Sequence, residues 1–251
     1  MLLSFVASRK RVLSKMRYGS LKRLLPPFLR RYILHFESSI DRAVEEFAGR
    51  LPPGVRILDA GAGEGKYSRH FKAHRYCGVD LAVGERLWNY GGLDTVADLL
   101  ALPFADGSFD ACINIVTLEH IREPARALQE MARVMKPGAK LLLAVPQEWE
   151  VHQAPHDFFR FTRFGIRHLL ESAGFTLIDV RPVGGYFRLL SHRLLNGLQF
   201  FPPVLLVPAS LCLVPLALLA PLFDPLDRER NFTLGYVSSA TKANCVDAGQ
   251  P

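Results

Sequence analysis

The feature that most restricts the fold of this chain is the junction ILDAGAGEG at residues 57–65, where an apolar segment meets three closely spaced glycines. The segment at residues 55–60 has the length and character of a buried central strand. Glycines at 61, 63 and 65 allow a tight turn, in which the backbone can closely approach a ligand. The junction therefore predicts an open sheet with a ligand site at the carboxyl ends of its strands.

Strands and helices alternate on both sides of this junction. Predicted strands lie at residues 55–60, 76–81, 95–99, 109–116, 140–145 and 175–183. Predicted helices lie at residues 37–48, 65–73 and 162–173, with a further helix between Pro124 and Gly138. Elements alternating at these lengths predict an α/β protein whose parallel sheet is covered by helices on both faces.

The positions of the charged residues and the cysteines restrict the partners and the cellular compartment that we expect. Nine of the 31 Lys and Arg residues lie in an acid-free arm at residues 1–36, and the rest of the chain holds 22 basic and 24 acidic residues. The apolar residues of this arm precede its charges, which is the reverse of a secretory signal. We expect it to bind anionic lipid or nucleic acid, although a mitochondrial transit peptide has a similar composition. Four scattered cysteines and no histidine at ligand spacing indicate a reducing compartment and predict no metal site.

Acidic residues follow the first three strands at positions where a nucleoside could bind. Asp59 precedes the first glycine by two residues, and Asp80 ends the second strand, where a carboxylate can accept both hydroxyls of a ribose. Asp98 and Leu99 end the third strand, where an acid and an amide could contact an adenine edge. Asp98 could also be an ordinary turn residue.

The stretches ILDAGAGEGKYS, YCGVDL, ADLLALPFADGSFDACINIVTLEHI and ARVMKPGAKLLLAVPQ resemble the class I S-adenosylmethionine-dependent methyltransferases, in particular the type 11 group. The resemblance spans about residues 50–183. It implies a Rossmann-like seven-stranded methyltransferase sheet, parallel except for one antiparallel strand, and S-adenosylmethionine as cofactor. The cofactor-binding residues that it implies are Asp59, Gly61, Ala62, Gly63, Asp80, Leu81, Asp98, Leu99, Asn114 and Val116.

The resemblance also implies a role for each of these residues. Asp59 would orient the glycine loop and the methionine amine, and the loop at residues 61–63 would pass beneath the methionine moiety. Asp80 would bind the ribose, with Leu81 next to it, and Asp98 with Leu99 would face the adenine. Residues 114–117 would border the sulfonium. The aromatic residues Trp88 and Tyr90 depart from the family pattern, and they either cover the cofactor or pack against the domain.

A loop rich in histidine and acid follows the fifth strand, at residues 148–160. Histidine titrates near neutral pH, so His152 or His156 could act as a general base for a hydroxyl acceptor, with Asp157 or Glu148 orienting it. Alternatively, the loop is structural and His156 caps the next helix. His120, after the fourth strand, is a weaker candidate.

The chain also contains 26 consecutive uncharged residues at 198–223, with five prolines. Residues 231–240 alternate like a strand and are predicted to be the seventh, antiparallel strand between the fifth and sixth. The methyltransferase domain would then comprise residues 37–183 and 231–251, and residues 184–230 would form an apolar, proline-rich insertion with both ends in one sheet.

These anchored ends restrict how the insertion can meet a membrane. One span would separate residues 231–240 from their sheet, and two spans need about 40 apolar residues. We also expect the prolines to break any straight helix. The sequence therefore predicts a monotopic hairpin that enters one leaflet, with a lid or core over the substrate pocket and a homodimer contact as alternatives.

The predicted function is S-adenosylmethionine-dependent O-methylation of a hydrophobic or lipid-linked acceptor, such as a quinone precursor, a polyprenyl-linked sugar or a lipopolysaccharide component. The protein would be peripheral on the cytoplasmic face of a membrane, with the anionic lipid surface as its partner. Nucleic acid is not expected as a partner, because it gives no reason for the apolar insertion. The alternatives are an RNA methyltransferase that uses the basic arm and a non-catalytic, membrane-tethered regulator that binds the cofactor.

Overall fold

The computed structural model describes residues 27–84 and 87–244, so residues 1–26 of the predicted basic arm lie outside the described part. The chain divides into two compact units. One contains the described residues of Ser39–Val183 and Phe232–Pro251, and the other contains those of Met1–Ser38 and Gly184–Asn231.

The larger unit is built on a seven-stranded sheet. Its strands are β1 (Arg56–Ala60), β2 (Arg75–Asp80), β3 (Thr95–Val96), β4 (Phe109–Ile115), β5 (Met135–Pro146), β6 (Phe175–Val183) and β7 (Gly235–Lys242). Their order is β3-β2-β1-β4-β5-β7-β6. Strands β1 to β5 pair in parallel, whereas β7 is antiparallel to both β5 and β6. The predicted Rossmann-like sheet, including the antiparallel seventh strand, is confirmed.

The described part of the chain also contains α-helices. They are α1 (Pro27–Ile33), α2 (His35–Arg50), α3 (Pro124–Val134), α4 (Arg163–Ser172), α5 (Tyr186–Gly197) and α6 (Pro203–Leu219). Ile57 and Leu58 are consecutive in β1 and therefore point to opposite faces of the sheet, yet both are fully buried. The prediction that both faces are covered is thus confirmed for this central strand.

One local prediction, the helix that follows β1, is wrong. Residues 65–73 do not form the expected helix, because hydrogen bonds there join residues three apart and only Ser68–His70 form a short 3-10 turn. Gly65, at a φ of 70°, cannot start a regular helix, and the Ser68 hydroxyl bonds its carbonyl oxygen. Residues 27–36, the described end of the predicted basic arm, form α1 and the start of α2.

The smaller unit is a helical assembly held by hydrogen bonds between distant segments. The Ser191 hydroxyl of α5 donates to the Ala217 carbonyl of α6, and the Tyr32 hydroxyl of α1 donates to the Leu218 carbonyl at 2.6 Å. Asp224, almost fully buried in the 3-10 segment Ala220–Leu226, accepts the backbone N–H groups of Gly185 and Arg188. These bonds fix the start of α5 and the end of the apolar segment together.

The apolar insertion forms a continuous helix where a broken one was expected. Helix α6 runs through Pro208 and Pro215, so the prediction that the prolines break it is wrong. Pro203 lies in the first turn, where no intrahelical N–H bond is lost, and each interior proline removes only one bond. Among the described residues, Pro203–Leu226 is the single helical segment long and apolar enough to cross a membrane, judged by length and composition alone.

The ends of the insertion meet in the sheet. Val183, the last residue of β6, pairs with Gly235, the first residue of β7. The predicted anchoring of both ends in neighbouring strands is therefore confirmed.

Candidate functional site

The glycine loop after β1 adopts backbone conformations that other residues rarely accept. Gly61 and Gly63 have φ values of 89° and 54°, and the N–H groups of Gly61 and Ala62 both donate to the Val79 carbonyl of β2. A Cβ on Gly61 would collide with the side chain of Thr117. The loop is thus held against the ends of β2 and β4, at the edge where open α/β sheets bind ligands.

Asp59 is a buried carboxylate beneath this loop. Its Oδ2 accepts a hydrogen bond of 2.6 Å from the Tyr76 hydroxyl, while its Oδ1 is buried with no hydrogen-bond partner among the described residues. Burial raises the pKa of Asp59 to about 7, against the opposing effect of the bond from Tyr76. An unsatisfied oxygen of this kind is costly, and a ligand ammonium group would satisfy it.

Asp80 connects the end of β2 to the glycine loop. One of its oxygens accepts from Gly63 N at 2.9 Å, and the other accepts from Ala82 N at 2.8 Å. Each carboxylate oxygen has a second lone pair, so ribose hydroxyls could still bind. The adjacent Leu81 is half exposed.

The predicted adenine-binding residues lie beyond β3, which ends at Val96. Asp98 is exposed, and its Oδ1 accepts from Leu100 N at 2.9 Å in a local turn, while Leu99 is buried. This geometry supports the alternative that Asp98 is a turn residue. The turn bond uses only the Oδ1 of the Asp98 carboxylate.

The residues at the end of β4 form the opposite wall of the loop. The Asn114 amide donates to the Ala60 carbonyl at 2.6 Å, and its own oxygen is buried without a partner among the described residues. Val116 has a φ of 51°, which redirects the chain so that the Thr117 hydroxyl reaches the Gly61 carbonyl at 3.1 Å. The structure therefore brings residues 114–117 to the glycine loop and the end of β1, and their place beside the sulfonium stays a prediction.

Two aromatic residues whose role the sequence left open, Trp88 and Tyr90, lie in the connection between β2 and β3. The ring of Trp88 is close enough that a Cβ on Gly63 would lie 3.3 Å from it, and Tyr90 accepts from Gly84 N. The backbone N–H of Asn89 donates to the Glu64 carboxylate at 2.9 Å. Trp88 therefore packs on the glycine loop, and Tyr90 lies edge-on to Trp88.

The histidine-rich loop places only one of the two proposed bases beside an acid. His152 Nδ1 lies 3.0 Å from the Glu150 carbonyl oxygen and 3.5 Å from Asp157 Oδ2. Asp157 is bound mainly by the Arg160 guanidinium, which holds the pKa of its carboxyl at about 2. Asp157 Oδ2 also accepts the backbone N–H of His152 at 2.8 Å, and the charge of Asp157 is largely neutralised by Arg160.

His156 is not the cap of the helix that follows the loop. The hydroxyl of Thr162 caps α4 by accepting from Gly165 N, so the alternative that His156 caps this helix is wrong. His156 contributes its backbone carbonyl, which accepts from His120 Nδ1, and its ring packs edge-on to Phe158. The described contacts join Asp157 to His152 and not to His156.

Glu119 and His120, in the 3-10 turn Leu118–His120, lie next to this loop. The His120 and His152 rings are 4.7 Å apart and nearly perpendicular. The Glu119 side chain is completely buried, and burial raises its pKa to about 8, while burial also lowers the pKa of His120. Sequence spacing did not predict this group, since its members come from two segments that follow different strands.

The residues at the glycine loop fit the cofactor that the sequence implies. The unpartnered Asp59 oxygen suits an ammonium group, the glycines leave the backbone accessible, and Asp80 lies where ribose hydroxyls would be bound. Tyr76, which binds Asp59, belongs to the same site and was missed, because it has no recognisable position in a short motif.

Residues 58–143 match a family model described as a methyltransferase domain. The chain is 34% identical over 135 residues to "Probable tRNA methyltransferase 9B" of Homo sapiens, which covers 51% of this chain and 28% of that protein. It is 40% identical over 114 residues to the demethylmenaquinone methyltransferase of Renibacterium salmoninarum, covering 41% and 46%. The matched segment thus spans less than half of each of these two relatives.

A solved structure supports the fold assignment. Phosphoethanolamine N-methyltransferase 2 of Haemonchus contortus, in complex with S-adenosyl-L-methionine, matches 82% of this chain and 53% of that chain with a TM-score of 0.54 and 20% identity. At this identity the likeness concerns the fold alone.

Proposed function

Because the domain that contains residues 58–143 is a class I S-adenosylmethionine-dependent methyltransferase domain of the type 11 group, we propose that this protein methylates a hydroxyl of a hydrophobic or lipid-linked acceptor at the cytoplasmic face of a membrane. A quinone precursor, a polyprenyl-linked sugar and a lipopolysaccharide component are the acceptor classes that fit this proposal. The observation that carries it is the exposed apolar insertion, inserted between two strands of a cofactor-binding sheet.

S-adenosylmethionine, the cofactor of this domain, supplies an electrophilic methyl group on a sulfonium. Asp59 would hold its ammonium group, the backbone of residues 61–63 would lie against its methionine part, and Asp80 would bind its ribose. Trp88, which packs on the glycine loop, would restrict water at this side of the site. These groups align the methyl donor, and alignment contributes much of the acceleration of a transfer reaction.

A hydroxyl acceptor must also lose a proton during the transfer. His152 is the better candidate for the general base, because it is the histidine that Asp157 orients. Its ring lies in the loop after β5, at the carboxyl edge of the sheet where acceptors bind in open α/β folds. His156, bound to the turn at His120 through its carbonyl, has a positioning role instead.

The membrane part of the proposal rests on the surface of Pro203–Leu226. Only 6% of its most apolar window is buried, so the alternative of an apolar core is not supported for this segment. Exposed Leu, Val and Phe side chains of this density favour a lipid surface or a second copy of the chain. Because both ends of the insertion begin in neighbouring strands, the segment would enter and leave on the same side of the bilayer.

RNA methylation is the second candidate function. The similarity to a protein called a probable tRNA methyltransferase favours it, and that similarity weakens the expectation that nucleic acid is not a partner. The acid-free basic arm at residues 1–36 would supply phosphate contacts in that case.

An acceptor assay separates these functions. The full-length protein is incubated with S-adenosylmethionine labelled in its methyl group, together with total lipid extract, total RNA or soluble sugars. We expect label in the lipid fraction, and none with Asp80→Ala. Label in RNA alone would contradict the proposal in favour of the second candidate, and cofactor binding without any label transfer would favour a regulator.

A further inference from the structure

The turn at Leu118–His120 and the loop after β5 bring together three side chains that can bind a metal. One ligand atom each from Glu119, His120 and His152 lies within 4.8 Å of the others. His120 Nε2 is 3.8 Å from Glu119 Oε1, and the two histidine rings are in edge contact. Two backbone bonds, from the N–H groups of Phe158 and Phe159 to the Glu119 carbonyl, hold the turn and the loop in this position.

The polar atoms at the centre of this group have no hydrogen-bond partners in the described part of the chain. Both carboxylate oxygens of Glu119 and the Nε2 of His120 are buried and make no hydrogen bond there. Three adjacent unsatisfied atoms would cost several kcal/mol if nothing bound them, and native proteins rarely leave buried polar groups in that state. Their arrangement therefore indicates a bound species between them.

The contacts that the two histidines make through Nδ1 favour metal binding at Nε2. His120 Nδ1 lies against the His156 carbonyl oxygen, and His152 Nδ1 lies against the Glu150 carbonyl and Asp157. An Nδ1–H that donates to such an oxygen leaves Nε2 with its lone pair, and metal-binding histidines are usually fixed in this way. Arg160 in turn holds Asp157, so the arrangement extends to a second layer of residues.

We propose that Glu119, His120 and His152 bind one divalent transition-metal ion. Two imidazoles and one carboxylate suit Zn²⁺ and related first-row ions, whereas Mg²⁺ prefers oxygen ligands. A bound ion takes up the lone pair of the His152 imidazole, so His152 would act as the general base only in the protein without metal. Three protein ligands leave at least one coordination position open, which an acceptor hydroxyl or phosphate oxygen could occupy. That role for the open position rests on the proposed function, while metal binding itself does not.

Metal binding can be measured on the full-length protein without any acceptor. After dialysis against a chelator, the protein is titrated with Zn²⁺ by calorimetry and with Co²⁺ by visible absorption, which reports the ligand field. We expect one ion per chain, and a loss of affinity of at least 100-fold in His120→Ala and in His152→Ala. The controls His168→Ala, an exposed histidine on α4, and Cys212→Ser, an exposed thiol, should bind as the unaltered protein does.

Two results would overturn the metal site: no saturable binding of either ion at millimolar concentration, or equal affinity in His152→Ala and the unaltered protein. Because Glu119 is fully buried, whereas His152 lies partly exposed in a loop, His152→Ala is the variant that should leave the fold intact, which its thermal unfolding checks. Cofactor affinity is measured in the same samples. Cofactor binding without metal binding would overturn this inference alone, and metal binding without cofactor binding would overturn the proposed function alone.

Discussion

At the scale of single residues, the site depends on contacts between side chains that are distant along the chain. Tyr76 donates to Asp59, Asp80 accepts from Gly63 N, and Thr117 reaches the Gly61 carbonyl. Tyr76 and Asp80 belong to β2 and Thr117 follows β4, so both strands that flank β1 hold the junction of β1 and the glycine loop. The loop is thus held before any ligand binds, which lowers the ordering cost of binding.

Replacement of Asp80 tests the cofactor site directly. Asp80→Ala removes both the ribose acceptor and the bond that fixes Gly63 N, so the affinity for S-adenosylmethionine should fall at least tenfold in calorimetry. Asp179→Ala, an exposed carboxylate on β6, is the matched control and should leave the affinity unchanged. Equal affinity in Asp80→Ala and in the unaltered protein would remove Asp80 from the site.

The raised pKa of Asp59 predicts how cofactor affinity depends on pH. Below pH 7 the buried carboxyl is protonated in the free protein, and a neutral carboxyl cannot pair with the cofactor's ammonium group. Affinity for S-adenosylhomocysteine should therefore fall by about tenfold for each pH unit below 7. Asp59→Asn should bind more weakly and show no such dependence between pH 5.5 and 7. An equally steep dependence in that variant would assign the titration to another group.

The sequence motifs predicted the site residues that lie at the ends of strands. They missed site residues that come from other parts of the chain. Asp59, Asp80 and the glycines follow directly from the strand-turn pattern. Glu119 and His152 belong to different connections after β4 and β5, and their proximity depends on how two irregular segments fold. Hydrophobic periodicity carries no information about such segments.

At the scale of elements, the bounds of the buried strands were predictable from the sequence. The ends of the helices, and the helix that runs through interior prolines, were not. Strands β1, β2, β4 and β6 lie within a residue or so of their predicted bounds, because runs of apolar residues between turn signals define them. Helix α6 was not expected, since intrinsic propensity treats interior prolines as breaks. The surrounding apolar residues and the bonds from Ser191 and Tyr32 to its last turns stabilise it instead.

The two kinds of proline in α6 should respond differently to substitution. Pro208→Ala supplies the N–H that can donate to the Val204 carbonyl, so the unfolding free energy should rise by about 1–3 kcal/mol. Pro203→Ala changes a first-turn position where no such bond exists, and the change should stay within about 0.5 kcal/mol. Thermal and denaturant unfolding followed by circular dichroism would measure both variants. A lower stability in Pro208→Ala would mean that the proline stabilises the helix through its packing.

At the scale of the whole molecule, the chain combines a cofactor-binding sheet with a unit whose outer surface is apolar. The division falls near residues 183 and 231, close to the boundaries that the sequence suggested. The topological order of the strands was predictable because the seventh strand of this fold returns between the fifth and sixth. The participation of α1 in the smaller unit was not predictable, because residues 1–36 were assigned to a basic arm from their charge alone.

The exposed face of α6 provides the test of membrane association. Val204, Val207 and Leu211 share one face and are 80%, 66% and 73% exposed. Burial of such side chains in lipid contributes about 1.5–3 kcal/mol each. Replacing all three by Asn should therefore reduce sedimentation with anionic phospholipid vesicles at least tenfold, while cofactor affinity stays the same.

A second variant separates this surface from exposed apolar residues in general. Phe164→Asn combined with Leu177→Asn changes two side chains of the larger unit with similar exposure, 74% and 79%, and should sediment with vesicles as the unaltered protein does. Sedimentation velocity without lipid completes the comparison. A triple variant that keeps its vesicle binding but changes from dimer to monomer would contradict the membrane proposal, and would show instead that α6 is a contact between two copies of the chain.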